Sequence, residues 1–244
     1  MLALLCWLAP AAAAPQFPAL TGRVVDAANI LSAATKSDLD GKLAALQAKT
    51  SRQLVVVTIP SLGGYDIADY GYQLGRAWGI GQAKLNNGVL LIVAPTEHRV
   101  RVEVGYGLEP ILTDAFSEII IQNQILPSFR QSDFNGGVEK GVDALIQQLS
   151  LDTSTAEARA AAAAQQSQQQ DNSDPRIGGA GIMIAIFIFI ALFRVFGGWM
   201  FLPFLFGGGR GGWGGGGFGG GGFGGGGFGG GGGSFGGGGA SGGW

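Results

Sequence analysis

The chain has 244 residues, 47 of them glycine, and its 15 Lys+Arg against 17 Asp+Glu give a formal net charge of −2. This balance excludes the basic face that nucleic-acid binding needs, so we expect no nucleic-acid partner. With Cys6 as the single cysteine and His98 as the single histidine, intrachain disulfides and zinc clusters are excluded, and a serine–histidine triad has only one candidate histidine.

Residues 1–14 form a short apolar run that ends in small residues. This layout predicts a secretory signal peptide, cleaved after Ala13. No charged residue precedes Arg23, so either the export signal is weak or the start codon lies upstream. A buried helix is the competing interpretation.

The first half of the predicted domain alternates helix and strand. Ser32 is a suitable N-cap for a helix that runs to about Lys49. Residues 53–60 are β-branched and almost continuously apolar, which is typical of a strand covered on both faces. A second helix is predicted over 66–78, after a pair of glycines.

A hairpin is predicted next. Asn87 and Gly88 form a turn before the apolar strand 89–94. Residues 99–104 alternate strictly, so one face is expected to be buried and the other to carry Arg99, Arg101 and Glu103. The short link at 95–98 favours antiparallel pairing and places His98 in an exposed turn. Two helices, 114–129 and 137–149, close this α/β pattern.

Three further segments follow the domain. Residues 150–176 are an alanine- and glutamine-rich linker with no apolar face. Residues 177–206 are predicted to cross the membrane once, with Arg194 near the interface. A shallow second segment is the alternative, and it would change the side of the membrane on which the tail lies.

The tail, residues 207–244, repeats four glycines and an aromatic residue. Spacing of five residues builds neither a helical nor a strand face, so the tail is predicted to be disordered. It is then either a flexible segment without a fixed partner or a set of weak aromatic contacts that promote self-association or contact with lipid headgroups.

Oxygen-bearing side chains lie at the predicted ends of strands and helices. Asp26, Asn87, Glu109 and Asp114 are hard ligands suited to Ca²⁺ or Mg²⁺. Elements alternating about one sheet bring their loops to its edges, which allows one divalent-cation site. The competing interpretation is that each residue only caps a helix or partners its dipole.

Four blocks of sequence resemble the TPM domain, which plant thylakoid proteins of photosystem II repair share with many bacterial membrane proteins. The blocks are 20–31, 87–93, 101–109 and 112–115, and the resemblance covers 20–149. The order of leader, domain, membrane segment and glycine-rich tail is also similar to the bacterial members. The resemblance implies a three-layer α/β/α sandwich with a small mixed sheet, cation binding in loops at one sheet edge and, in some members, acid phosphatase activity.

Carried over to this sequence, the resemblance implies Asp26, Glu109 and Asp114 as cation ligands, with Asn87 and Glu103 as weaker candidates. Two functions remain open. One is a membrane-tethered extracytoplasmic domain that assists membrane-protein assembly through protein contacts, with the cation ordering its loops. The other is a metal-dependent phosphatase for small phosphoesters, in which the cation polarises the phosphoryl group and positions water.

Orientation follows from the leader if it is an export signal. The domain is then expected outside the cytoplasm, periplasmic or extracellular, on a single-pass anchor in the cell membrane. The tail is expected in the cytoplasm, which the flanking arginines favour only slightly.

Overall fold

The computed structural model describes residues 15–173 and 231–244. The predicted leader and the predicted membrane segment 177–206 lie outside these residues. Within the described ranges, no helix is both long and apolar enough to cross a membrane.

Five strands and six helices make up the described chain. The strands are β1 (Val24–Asp26), β2 (Gln53–Thr58), β3 (Gly88–Ala94), β4 (Arg99–Gly105) and β5 (Phe235–Gly243). The helices are α1 (Ala33–Thr50), α2 (Ile67–Trp78), α3 (Asp114–Ile120), α4 (Leu126–Phe129), α5 (Phe134–Leu149) and α6 (Thr153–Ser173).

The strands form one mixed sheet in the order β1-β2-β3-β4-β5. β1, β2 and β3 are parallel, with Asp26 opposite Thr58 and Thr58 opposite Val93. β4 runs antiparallel to β3, which confirms the predicted hairpin. β5 runs antiparallel to β4 and closes the sheet at its other edge.

Two apolar clusters lie on opposite faces of this sheet, which confirms the three-layer α/β/α arrangement. One cluster joins alternate strand residues to α1, α3, α4 and α5. The other joins the remaining strand residues to α2, through Ile67, Tyr70 and Leu74. β2 and β3 are buried on both faces, as their apolar runs predicted.

The helix starts follow from their caps. Ser32 accepts a hydrogen bond from the backbone amide of Thr35 at 3.0 Å, as predicted for α1. α5 begins three residues earlier than predicted, because Asp133 accepts from the amide of Gly136. The predicted helix 114–129 is divided into α3 and α4 by a π-helical turn, Ile121–Ile125.

The prediction that 150–176 lacks an apolar face is wrong. Residues 153–173 form α6, which buries Ala156, Ala160 and Ala163. These alanines are spaced at i, i+4 and i+7, so they form one face of small side chains on which the helix packs closely.

The prediction that the polar face of β4 is exposed holds for Arg99 but is wrong for its other two residues. Arg101 is 4 % exposed and Glu103 is fully buried. They lie beneath α2, where Gly71 has no side chain: a Cβ built there would stand 3.3 Å from Cδ of Arg101 and from Oε2 of Glu103. Glycine in the helix makes the room that the ion pair occupies.

The predicted disorder of the whole tail 207–244 is wrong for its last part. Residues 231–244, which we call the tail segment, contain β5 and pair with β4.

Candidate functional site

The tail segment lies in a cleft along the edge of β4, and its deepest side chain is Phe235. This ring is fully buried and packs on α2 at Gly75. The carbonyl oxygen of Phe235 accepts a hydrogen bond from Nε of Arg76 at 2.8 Å. Burial of a phenylalanine side chain is worth about 1.5–3 kcal/mol, so Phe235 is a principal anchor of the segment.

The residues before Phe235 are held by backbone bonds. The amide of Gly232 donates to the carbonyl of Gly79 at 2.8 Å, and the carbonyl of Gly231 accepts from the amide of Ala83 at 2.7 Å. The amide of Ser234 donates to Oδ1 of Asn86 at 2.9 Å. The segment thus enters the cleft in one fixed register.

The far end of the segment is held by aromatic contacts. The ring of Trp244 meets those of Phe129, Phe134 and His98 edge-on, at centroid distances of 4.7, 5.9 and 5.5 Å. Its amide also donates to the carbonyl of His98 at 3.3 Å. Such ring pairs add about 0.5–1.5 kcal/mol each beyond area burial.

Between the two anchors, Arg101 connects the sheet to the tail segment. Its Nε donates to Glu103 Oε2 at 2.6 Å. Its other two nitrogens donate to Oγ of Ser241 and to the carbonyl of Gly237, both at 2.8 Å. One guanidinium therefore satisfies a buried carboxylate and two tail-segment oxygens at once.

Glu103 is the most strongly perturbed acid of this cleft. Burial raises its pKa to about 7, although the Arg101 guanidinium opposes that rise. Its Oε1 has no hydrogen-bond partner among the described residues.

Asp114 and Glu109 lie beside the same strand. Asp114, in the exposed first turn of α3, accepts a hydrogen bond from the amide of Gly239 through Oδ1 at 2.6 Å. Glu109 lies against Gly238, where an added Cβ would stand 2.8 Å from its Oε1. Three of the predicted cation ligands, counting Glu103, thus adjoin the backbone of the tail segment.

We call the whole surface the docking cleft: the edge of β4, Gly75, Arg76, Asn86, Asp114, Phe129 and Phe134.

Asp26 lies far from this cleft. It ends β1, the opposite edge strand, and three strands separate it from β5. At about 4.8 Å per strand interval that is roughly 19 Å, too far for one cation to bind both Asp26 and Asp114.

Asp26 organises its own loop. Its Oδ1 accepts from Thr58 Oγ1 at 2.6 Å and from the amide of Ile30, and its Oδ2 accepts from the amide of Leu31. Lys36 Nζ is 3.4 Å away. Burial alone would raise the pKa of Asp26, but these donors outweigh it and hold the pKa below its usual value.

Asn87 also has a local role. It donates from Nδ2 to the carbonyl of Ser51 and accepts the amide of Gln82 at Oδ1, both at 2.8 Å. Over 15–173 and 231–244, no group of three or more His, Cys, Asp or Glu side chains is placed to hold a metal ion. Cation binding stays a prediction.

Three residues of this site, Arg101, Phe235 and Trp244, are not indicated as site residues by the sequence patterns. A weak signal was present: the five-residue aromatic spacing stops before Phe235, and Ala240 and Ser241 interrupt the glycine run. Such interruptions distinguish the tail segment from the repeats before it.

Comparison with known proteins finds a matching family and similar solved structures. A family profile described as the TPM domain matches residues 24–148. The N-terminal domain of a protein from P. gingivalis, solved by solution NMR, is 39 % identical, with a TM-score of 0.50, over 53 % of this chain and 82 % of that one.

Two other solution structures are more distant. The N-terminal domain of the cg2496 protein from Corynebacterium glutamicum is 20 % identical over 59 % of this chain and 88 % of its own, with a TM-score of 0.44. The BA42 protein from Bizionia argentinensis is 22 % identical over 49 % of this chain and 81 % of its own, with a TM-score of 0.44. No curated protein matches the chain.

Proposed function

The chain belongs to the TPM domain family, and we propose that it is a protein-contact domain, held at the outer face of the cell membrane, that assists the assembly or maintenance of membrane proteins. The proposal rests on one observation. The edge of β4 is paired over its full length with a strand that is distant in sequence.

An edge strand with such pairing is a means of binding protein. Main-chain hydrogen bonds supply affinity for an extended segment, and side-chain cavities beside the edge supply specificity. Here Phe235 fills one such cavity, and Arg101 donates hydrogen bonds to two oxygens of the added strand. The same geometry suits an extended segment of a partner protein that carries glycine where β5 approaches the cleft most closely.

The membrane location rests on the sequence. The apolar leader favours export, and residues 177–206 provide the anchor, both outside the described residues. We further propose that the tail segment lies on the same side of the membrane as the domain, since β5 pairs with β4.

A divalent cation, Ca²⁺ or Mg²⁺, is the proposed ligand of the loops. Glu109 and Asp114 supply carboxylate oxygens next to buried Glu103, and Asp26 supplies another at the opposite edge of the sheet. A metal-dependent phosphatase is the alternative. Oδ1 of Asp114 already accepts a hydrogen bond from the backbone of the tail segment. We therefore rank the contact role above the phosphatase.

The test uses the full chain, purified in detergent and stripped of metal. Thermal unfolding is followed while Ca²⁺ or Mg²⁺ is added, and hydrolysis of a generic phosphoester is followed in the same samples. A saturable rise in the unfolding midpoint without turnover is expected, because a ligand that binds only the folded state stabilises it.

Matched variants assign the response. Asp114→Asn removes a carboxylate of the docking cleft, and Asp26→Asn removes one at the other edge, so the variant that loses the cation response identifies the site. Turnover that tracks cation concentration and is lost in the same variant would establish the phosphatase instead. No response to either cation would remove the cation from the proposal.

A further inference from the structure

We propose that the docking cleft is a peptide site specific for the sequence of residues 231–244. Its occupant is either the chain's own tail segment or, by exchange, the tail segment of a second copy of this chain. This inference rests on the proposed contact function and names its partner. The occupant is a segment with glycine at set positions between Phe235 and Trp244.

Glycine is required by close approach at several positions of the segment. Gly239 has φ of +117°, and a Cβ there would collide with the carbonyl oxygen of Val102. A Cβ at Gly242 would stand 2.5 Å from Cγ2 of Ile121, and one at Gly238 would meet Glu109. The cleft therefore rejects ordinary strand sequences and accepts this one.

Recognition of the segment does not depend on where its covalent connection leads. The bonds to Arg76, Arg101, Asn86 and Asp114 are made from residues 234–241. The aromatic contact is made by Trp244. An identical segment from another copy can make every one of them.

Chain length allows the exchange. Residues 207–230 join the proposed anchor to the tail segment. At a maximum of about 3.5 Å per residue this length reaches roughly 80 Å, which exceeds a domain diameter, so it is long enough to place the segment in a neighbouring cleft.

The experiment is a complementation of two full-length variants in detergent. Gly239→Val has an intact cleft and a defective strand. Gly75→Val has an intact strand and a defective cleft, because a side chain at position 75 displaces the ring of Phe235. The mass of each variant and of their equimolar mixture is measured by analytical ultracentrifugation.

We expect each variant alone to be monomeric and the mixture to form a dimer of twice that mass. The Gly239→Val chain should also unfold at a higher temperature in the mixture than it does alone at the same total protein concentration. A mixture that stays monomeric, with unchanged unfolding, overturns the inference. This holds even if Gly239→Val is unfolded alone, since a supplied strand must then restore it.

A synthetic peptide of residues 231–244 tests the exchange between copies separately from the proposed contact function. Saturable binding of labelled peptide to the Gly239→Val chain, and not of a peptide carrying the same substitution, supports the peptide site. Peptide binding without complementation rejects the second copy but leaves the contact function standing. Loss of both rejects strand addition at β4 altogether.

Discussion

Gly75 lies directly against the ring of Phe235: a Cβ built at position 75 would stand 2.7 Å from Cδ2 of that ring. One turn earlier, Gly71 leaves the space taken by Arg101 and Glu103. Both glycines weaken a helix interior by about 0.5–1 kcal/mol relative to alanine. That cost is offset by a buried ring and a buried ion pair, so α2 is built to receive the tail segment.

Gly75→Ala should destabilise the full chain by about 1–3 kcal/mol, because the added methyl group overpacks against Phe235. Amide hydrogen exchange over β5 should quicken together with the fall in unfolding midpoint. Gly41→Ala in α1 is the matched control: no atom lies within 4 Å of its added Cβ, so it should be neutral or stabilising. Equal exchange in the two variants would contradict the contact.

Most of the domain was predictable because its patterns are local. The continuous apolar runs of β2 and β3, the cap at Ser32 and the hairpin each follow from a few adjacent residues. The burial of Arg101 and Glu103 was not predictable, since their alternation with valines is the usual signature of an exposed face. Only contacts with α2 and β5 reverse that assignment.

The tail segment escaped prediction for a different reason. Glycine has low strand propensity and carries no side chain to show which face is buried. Its pairing depends on a cleft more than a hundred residues earlier in the chain. Loop positions alone predict Glu109 and Asp114 beside Asp26, because the strand order that separates them is not visible in the sequence.

Trp244→Ala should weaken the far end of the tail segment by about 2 kcal/mol, since it removes ring contacts with Phe129, Phe134 and His98. Hydrogen exchange should rise more over residues 240–243 than around Phe235. Leu85→Ala is a suitable control, because Leu85 is 54 % exposed and its truncation should change stability by no more than about 0.5 kcal/mol. Uniform exchange along β5 would show that Trp244 is not a separate anchor.

Glu103→Gln should remove one part of the pH dependence of stability. The pKa of Glu103 is raised from 4.5 to about 7, so between these values the folded state binds more protons than the unfolded state. The free energy of unfolding therefore falls as pH rises from 4.5 to 7, by at most about 1.4 kcal/mol per pH unit. Urea unfolding at a series of pH values should show that slope in the wild type and not in Glu103→Gln; an unchanged slope would assign it to another group.

Asp26→Asn should act with the opposite sign and in a more acidic range. The pKa of Asp26 lies below its usual 3.8, so the ionised carboxylate stabilises the fold above pH 3.8, and this contribution disappears as pH falls through the lowered folded-state pKa. An asparagine amide cannot accept both the Thr58 hydroxyl and the Leu31 amide as the carboxylate does. We expect a loss of about 1–3 kcal/mol at pH 6 and a flatter acid limb, measured in the same urea series. The slope between pH 4.5 and 7 should be unaffected, since Glu103 lies at the other side of the sheet; a change there would mean that the two carboxyl groups are coupled across it.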